Sequence, residues 1–198
     1  MISKSILDSA LSYQSYKSLV EKLYAEGKST GPIQNEELLH YTELNIQRMK
    51  RVEKTNVLTD ELMESLTKIK TAQTWLIITE GWCGDGAQQI PVFEKIAQAC
   101  SMVSLKLILR DENLDIMDNY LTNGNRSIPK VLFINNNTLE VMQTWGPQPL
   151  EAMTLIKQLK ESNMEKLKIK EQLHLWYAKN KGIALQSELV NIIQEINH

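Results

Sequence analysis

Apolar residues recur at helical spacing through the first 70 residues of the chain. The pattern predicts three helices: from about residue 7 to 24, from 36 to 54, and from Thr59, a suitable N-cap, to Ile69. The segment between Gly27 and Pro32 is rich in Gly, Ser and Thr and is predicted as a loop. We therefore expect residues 1–70 to form an N-terminal helical extension.

The pattern changes at Thr74, where short runs of strand-forming residues begin. Strands are predicted at 75–79, 104–110, 130–134 and 139–144, and helices at 84–100, 113–121 and 149–161. Three asparagines, Asn135 to Asn137, separate the last two strands and predict an antiparallel hairpin. The predicted order within a core of residues 71–162 is strand, helix, strand, helix, strand, strand, helix.

Two further helices are predicted in a C-terminal extension of residues 163–198. The first ends near Gly182, a residue that suits a helix C-terminus. The second has an apolar stripe that we expect to pack on the core, formed by Leu185, Leu189, Ile192, Ile193 and Ile196.

Composition and charge narrow the class of protein. The chain has 198 residues, of which 42% are hydrophobic, and a net charge of −2, so one core with helical additions is expected and a nucleic-acid partner is not. The basic run from Lys166 to Lys170 is interpreted as the solvated face of a helix. No signal peptide, membrane span or lipidation motif is recognised, which predicts a cytoplasmic protein; its oligomeric state is left open.

Two cysteines are the candidates for chemistry. Cys83 lies between the first core strand and the following helix, where the helix dipole and free N–H groups favour a thiolate, while Asp85 opposes it. These effects predict a pKa of roughly 7 to 8 for Cys83. Cys100 is interpreted as a buried structural residue, and the same alternative stays open for Cys83. The two cysteines are 17 positions apart on one predicted helix, roughly 25 Å, which excludes a disulfide between them.

Several motifs in the predicted core resemble those of thioredoxin. Trp82, Cys83 and Gly84 match the first three positions of its Trp-Cys-Gly-Pro-Cys motif, and Pro91 matches its helix-kinking proline. Ile128-Pro129 resembles its cis-proline loop, and Gly146 the glycine that closes its last strand. More closely, Trp-Cys-Gly-Asp with Arg-Asp-Glu-Asn (110–113) and Arg-Ser-Ile-Pro (126–129) resembles a bacterial monothiol subgroup of thioredoxin-like proteins. The resemblance implies an α/β thioredoxin fold, a central mixed sheet of about four strands flanked by helices, with helical extensions at both ends.

Departures from the motif define the implied chemistry. Gly86 stands where thioredoxin has its resolving cysteine, Asp85 replaces the motif proline, and Ile77 replaces the buried acid that assists resolution. The resemblance therefore implies thiol–disulfide exchange through Cys83 alone, with an external thiol completing the cycle. A Gly86→Cys variant is predicted to gain dithiol activity.

The resemblance also implies a substrate-binding surface around the catalytic Cys83. It is formed by Trp82, Gly84, Asp85, Arg126, Ile128 and Pro129. A cis Pro129 would present the backbone of Ile128 to an extended substrate, although an ordinary loop proline is the alternative. Arg126 either approaches the sulfur or is solvated, and Trp145 either flanks the site with Trp82 or packs in the core.

Partners and cofactors follow from the same interpretation. The partner is predicted to be a protein disulfide or a low-molecular-weight thiol, and neither a cofactor nor a metal is predicted. The three histidines have no ligand spacing, and the core segment has none that would serve as a base for Cys83. Two other functions stay open: a redox-inactive binding module that uses the proline groove, and a thiol-transferase of the glutathione transferase type.

Overall fold

The sheet of the computed structural model, which describes residues 2–197, is built on the most apolar run of the chain. Its strands are β1 (Gln73–Thr79), β2 (Val103–Leu109), β3 (Lys130–Asn135) and β4 (Val141–Trp145), in the spatial order β2-β1-β3-β4. Strand β1 is parallel to β2 and antiparallel to β3, which forms the predicted hairpin with β4. Every residue of β1 is buried, because helices cover both faces of the sheet.

Helices account for most of the remaining described residues. They are α1 (Lys4–Ser9), α2 (Tyr13–Ala25), α3 (Glu36–Thr55), α4 (Asp60–Leu66), α5 (Gly84–Ala99), α6 (Leu114–Met117), α7 (Leu150–Glu161), α8 (Lys166–Asn180) and α9 (Ile183–Ile196). The mixed sheet of four strands flanked by helices confirms the predicted fold class. None of the helices in this part of the chain is long and apolar enough to cross a membrane.

Successive side chains of β1 point to opposite faces of the sheet and pack into two separate hydrophobic cores. Trp75 and Ile77 face the larger core, which contains residues of α2, α3, α4, α5 and α9. Leu76 and Ile78 face the smaller core, which contains residues of α1 and α6 together with Cys83. The sulfur therefore lies in the layer opposite the main helical core.

The N-terminal extension is helical as predicted, but it is interrupted at Leu11. The Leu11 N–H donates to the Leu107 carbonyl at 2.8 Å, and the Leu107 N–H donates to the Leu11 carbonyl at 2.9 Å. This single antiparallel bridge satisfies backbone groups at the outer edge of β2. One predicted helix is therefore divided into α1 and α2.

The two terminal extensions pack on each other as well as on the core. Thr59 caps α4, as predicted, by accepting the Leu62 N–H at 3.3 Å. Its own N–H donates to Gln186 of α9 at 2.8 Å, and Asn56 donates to the Lys181 carbonyl at 2.8 Å. These bonds bring α8 back over the same side of the molecule as α3.

Two predicted elements are shorter than their sequence pattern indicated. Strand β4 begins at Val141, because Leu139 has a positive φ of 60° and belongs to the turn. Helix α6 is a single turn that ends at Met117.

Candidate functional site

Cys83 is the N-cap residue of α5, and its sulfur is hydrogen-bonded on two sides. Sγ accepts the Gly86 N–H at 3.3 Å and, as a thiol, donates to the Ile128 carbonyl at 3.3 Å. The Ile128–Pro129 peptide bond is cis. The structure thus brings Cys83 to the proline loop, 45 residues further along the chain.

The loop that precedes Cys83 is held by residues of the N-terminal extension. The Gly81 N–H donates to Thr30 Oγ1 at 2.8 Å, and the Gly81 carbonyl accepts from Asn45 Nδ2 at 3.0 Å. The carboxylate of Glu80, fully buried, accepts the Asp111 N–H at 2.9 Å, and burial raises its pKa. The backbone at the site is therefore fixed from two directions before any ligand arrives.

The thiol of Cys83 is much less exposed than its motif suggested. The residue is 6% exposed, and burial, followed by the negative charge of Asp85, raises the pKa of the thiol to about 12. The N–H groups of Gly86 and Asp85 and the charge of Arg110 act in the opposite direction. The predicted pKa of 7 to 8 is wrong, because the sequence did not indicate the desolvation of the sulfur.

Two helices from the terminal extensions line a pocket beside Cys83, whose side chain is buried in the smaller core. This pocket of about 360 Å³, named here the cysteine pocket, lies between the two helices and the core. It is lined by Leu38, Tyr41 and Arg48 of α3, by Trp82, Cys83, Gly84 and Asp85, by Ile128, and by Lys170, Leu173 and His174 of α8. A Cβ atom at Gly84 would lie 3.0 Å from His174 Cε1 and 3.4 Å from Arg48 Nη1, so both helices contact the first turn of α5.

His174 brings an imidazole into a site where the sequence indicated none. Arg51 Nη2 donates to Gln88 Oε1 at 2.8 Å, which turns the amide nitrogen of Gln88 toward His174 Nδ1, 3.2 Å away. Burial and the nearby positive charges lower the pKa of His174 to about 4. The ring is therefore neutral near pH 7, with its proton on Nε2, where it serves as a donor rather than as a base for Cys83.

Asp85 is a partly buried acid of the cysteine pocket. Its carboxylate accepts the Tyr177 hydroxyl at 2.7 Å and the Gln148 amide at 2.9 Å. Burial raises its pKa to about 6, although both hydrogen bonds and the charge of Arg48 oppose this shift. The predicted site residue Asp85 is thus turned toward α8 and the segment before α7.

The cation beside the loop that precedes Cys83 is Arg110 rather than Arg126. Arg126 is exposed and donates two hydrogen bonds to Asp118, at 2.6 and 2.8 Å, so the structure does not bring it to the sulfur. Arg110 lies 4.9 Å from the centre of the Trp82 ring and pairs with Asp111 at 2.8 Å. Both arginines precede short turns, and the sequence offered no basis for choosing between them.

The family is decided by comparison of the sequence with family models. A model described as Thioredoxin matches residues 31–161. The chain belongs to the thioredoxin family. The match includes Cys83, the proline loop, and the α3 residues that line the cysteine pocket. No curated protein matches the chain.

Two solved structures have a similar fold over nearly the whole of this chain. A protein of unknown function from Pseudomonas aeruginosa is 16% identical, with a TM-score of 0.66 and coverage of 98% of both chains. An HIV epitope-scaffold protein is also 16% identical, with a TM-score of 0.57 and coverage of 93% of this chain and 98% of its own. These similarities concern the fold, including the helices at both ends.

Gly86, at the position of the second thioredoxin cysteine, is enclosed by its neighbours. A Cβ atom there would lie 2.7 Å from Thr79 Oγ1 and 3.5 Å from Cys83 Sγ. The first distance is shorter than real Cβ contacts, so Thr79 excludes any side chain at this position unless something shifts. Glycine is therefore the residue that fits beside the end of β1 without a shift of Thr79.

The remaining thioredoxin-like positions are divided between the site and the core. Trp82, Gly84 and Ile128 line the cysteine pocket, and Pro129 follows Ile128 without itself lining it. Trp145 packs on Phe93 at 5.7 Å in the larger core. Sequence reasoning missed the pocket residues of α3 and α8. The helical spacing of those on α8 (170, 173, 174) shows that they share a face, but not what that face covers.

Proposed function

We propose that the protein catalyses thiol–disulfide exchange through Cys83, as a monothiol member of the thioredoxin family in the Trp-Cys-Gly-Asp bacterial subgroup. The observation that carries the proposal is the position of its sulfur. Cys83 Sγ accepts an N–H of the first turn of α5, contacts the carbonyl before Pro129, and lines the cysteine pocket. A disulfide that enters this pocket reaches a sulfur whose thiolate has a hydrogen-bond donor already in place.

The proposed reaction has two balanced steps. The Cys83 thiol loses its proton, its sulfur attacks one sulfur of a disulfide R–S–S–R, the S–S bond breaks, and the leaving thiolate takes up a proton as RSH. Cys83 is oxidised to a mixed disulfide and half of the substrate is reduced. A second low-molecular-weight thiol then attacks the mixed disulfide, takes the R–S group as a new disulfide, and returns Cys83 to the thiol. An external thiol is needed because Gly86 supplies no sulfur.

The raised pKa makes the thiol slow unless the substrate is bound. At pH 7.5 a thiol of pKa about 12 has roughly a 3000-fold smaller thiolate fraction than one of pKa about 8.5. Its greater nucleophilicity recovers about 40-fold, since reactivity rises with pKa with a slope of about 0.4–0.5. The net loss is about a hundredfold. Binding beside the sulfur offsets this loss by raising the effective concentration of the disulfide.

The test is formation and release of a mixed disulfide on the folded protein. Wild type, Cys83→Ser and Cys100→Ser are incubated with hydroxyethyl disulfide and analysed by mass spectrometry. We expect one adduct in wild type and Cys100→Ser, none in Cys83→Ser, and its release by added thiol. An adduct on Cys100, or none at all up to pH 9, would refute the proposal.

A redox-inactive binding module is the second candidate, and the burial of Cys83 is the observation that favours it. In that case the thiol is a packing residue of the smaller core, hydrogen-bonded to Ile128. Cys83→Ser then leaves ligand binding intact and no mixed disulfide forms. The adduct experiment distinguishes the two functions.

A further inference from the structure

The charged and polar side chains that line the cysteine pocket favour particular disulfides over others. Resting on the proposed exchange reaction, we propose that it selects small disulfides or thiols that carry a carboxylate, and that protein disulfides are excluded. The ligand's carboxylate is held by Arg48 and Lys170, with the Nε2–H of His174 as a third donor, while its sulfur meets Cys83. The evidence is the set of donors, the balance of charge, and the two helices that cover the site.

Two cations line the cysteine pocket without an acidic partner. Arg48 Nη1 donates to Asn45 Oδ1 at 2.8 Å, and Lys170 Nζ donates to the Tyr41 hydroxyl at 2.8 Å. Both acceptors are neutral. Within residues 2–197, neither cation has a carboxylate oxygen within 4.0 Å. Asn45 is itself buried and bonded to the Gly81 carbonyl, so the guanidinium is positioned next to the active loop.

Asp85 is the acidic residue in the pocket lining, and its negative charge partly offsets the two cations. Its two oxygens are already engaged by Tyr177 and Gln148, and its charge offsets one of the two cations. With His174 neutral, two positive charges against one negative leave the lining with a net charge of +1. A monoanionic group is the ligand charge that balances it.

His174 supplies a neutral donor in the same place. Its Nδ1 is occupied by the amide of Gln88, which leaves the Nε2–H free to donate. The Nε2 atom lies 3.2 Å from the position of a Cβ at Gly84, next to the first turn of α5 and beside Arg48 Nη1. A carboxylate has two oxygens, and a guanidinium with a neighbouring ring N–H is a donor set that fits them.

The volume of the cysteine pocket and the helices around it determine which molecules reach Cys83. A volume of about 360 Å³ is near the lower end for small-molecule sites, and apolar side chains of Leu38 and Leu173 line it for an aliphatic chain. An extended protein segment would have to lie along Ile128, which is 8% exposed and whose carbonyl is occupied by the thiol. The role of the terminal helices is therefore to convert an open thioredoxin-like surface into a pocket for a small molecule.

Binding is tested without chemistry in Cys83→Ser, which keeps a group able to make both hydrogen bonds of the thiol. Titration calorimetry compares dithiodiglycolate, which is anionic, with hydroxyethyl disulfide, which is neutral, and cystamine, which is cationic. We expect the anion to bind at least about tenfold more tightly than the neutral disulfide, because a charge-assisted hydrogen bond contributes about 1.5–3 kcal/mol. Cystamine should bind most weakly.

Variants identify the groups responsible. In the same background, Arg48→Gln should weaken dithiodiglycolate about tenfold or more and leave hydroxyethyl disulfide unchanged, and Arg48→Lys should restore part of the loss. Lys170→Gln, at an exposed position, should cost about threefold. Lys179→Gln removes an equal charge from the last turn of α8, roughly 13 Å away along the helix, and should have no effect.

The outcomes separate this inference from the exchange reaction on which it rests. Equal affinity for the three disulfides, or no effect of Arg48→Gln and Lys170→Gln, overturns the anion site whether or not Cys83 reacts. Selective binding of the anion without an adduct on Cys83 supports the anion site and refutes the exchange reaction. Mixed-disulfide formation with insulin at a rate similar to that with dithiodiglycolate would overturn the exclusion of proteins.

Discussion

Restoring the missing thioredoxin cysteine requires a second substitution, and the structure indicates which one. A Cβ at Gly86 lies 2.7 Å from Thr79 Oγ1, so Gly86→Cys alone forces the end of β1 and α5 apart. Overpacking of this kind costs about 1–3 kcal/mol. Thr79 Oγ1 is buried and interacts only weakly with the buried Tyr16 hydroxyl, so Thr79→Ala removes the contact with a side chain at residue 86 at little cost in hydrogen bonding. We expect the double variant to be more stable than the sum of the single variants by about 1–2 kcal/mol.

The same geometry predicts a disulfide in the double variant. The Cβ position at Gly86 is 3.5 Å from Cys83 Sγ, a distance that one added sulfur and an S–S bond of about 2.05 Å can bridge with a small adjustment. Urea unfolding of the four reduced proteins gives the coupling, and loss of two titratable thiols on mild oxidation reports the bond. The control, Thr79→Ala with Gly86→Ser, adds a side chain without a thiol.

Either of two results would refute this reasoning. If Gly86→Cys alone is as stable as wild type, Thr79 does not limit the position. If the double variant is stable but retains both free thiols after oxidation, the sulfur of Cys83 does not lie where the structure has it.

Three further predictions concern charge and pH. Alkylation of Cys83 should accelerate steadily from pH 7 to 10 with no plateau near 8, because burial raises the pKa of the thiol to about 12; a plateau below pH 9 would contradict this. Arg110→Gln should slow that alkylation about two- to threefold at fixed pH, because the charge of Arg110 lowers the pKa of the thiol. Arg126→Gln should not slow it, because Arg126 is paired with Asp118. The reverse order would contradict the assignment. The pKa of Asp85 is raised in the folded state, so its contribution to stability is present below pH 4 and is lost as the pH rises through about 6. Relative to Asp85→Asn, urea unfolding of wild type should therefore show a loss on the order of 2 kcal/mol between pH 4 and 7, and parallel pH profiles would rule this out.

Much of the fold follows from local pattern. The run from Trp75 to Thr79 is apolar at every position except the last. Such a run is typical of a strand that is buried on both faces, and β1 is that strand. Asn135 to Asn137 predicted the hairpin, and Thr59 predicted a helix start, because turn and cap preferences act over three or four residues. Leu11 is the exception: its pairing with Leu107 depends on an open sheet edge that no local pattern records.

The position of Cys83 at the start of a helix could also be predicted from the sequence, since a helix N-terminus is a local feature. The surroundings of its sulfur could not be predicted. The pKa of the thiol depends on its desolvation in the smaller core. The pocket beside it is lined by residues of α3 and α8 that are separated from Cys83 by tens of residues in both directions along the chain. Burial and charge are sums over all neighbours in space, and sequence separation carries no information about such neighbours.

By itself, then, the sequence determined a strand, a cysteine at the start of a helix and a proline loop, because each is a property of adjacent residues and backbone geometry. Only the tertiary structure decided that Arg48, Lys170 and His174 surround that cysteine and that Arg126 does not. The physical reason is that α3 buries its apolar face against the larger core while α8 packs on α7, and this packing brings polar side chains of both helices to the pocket beside the sulfur.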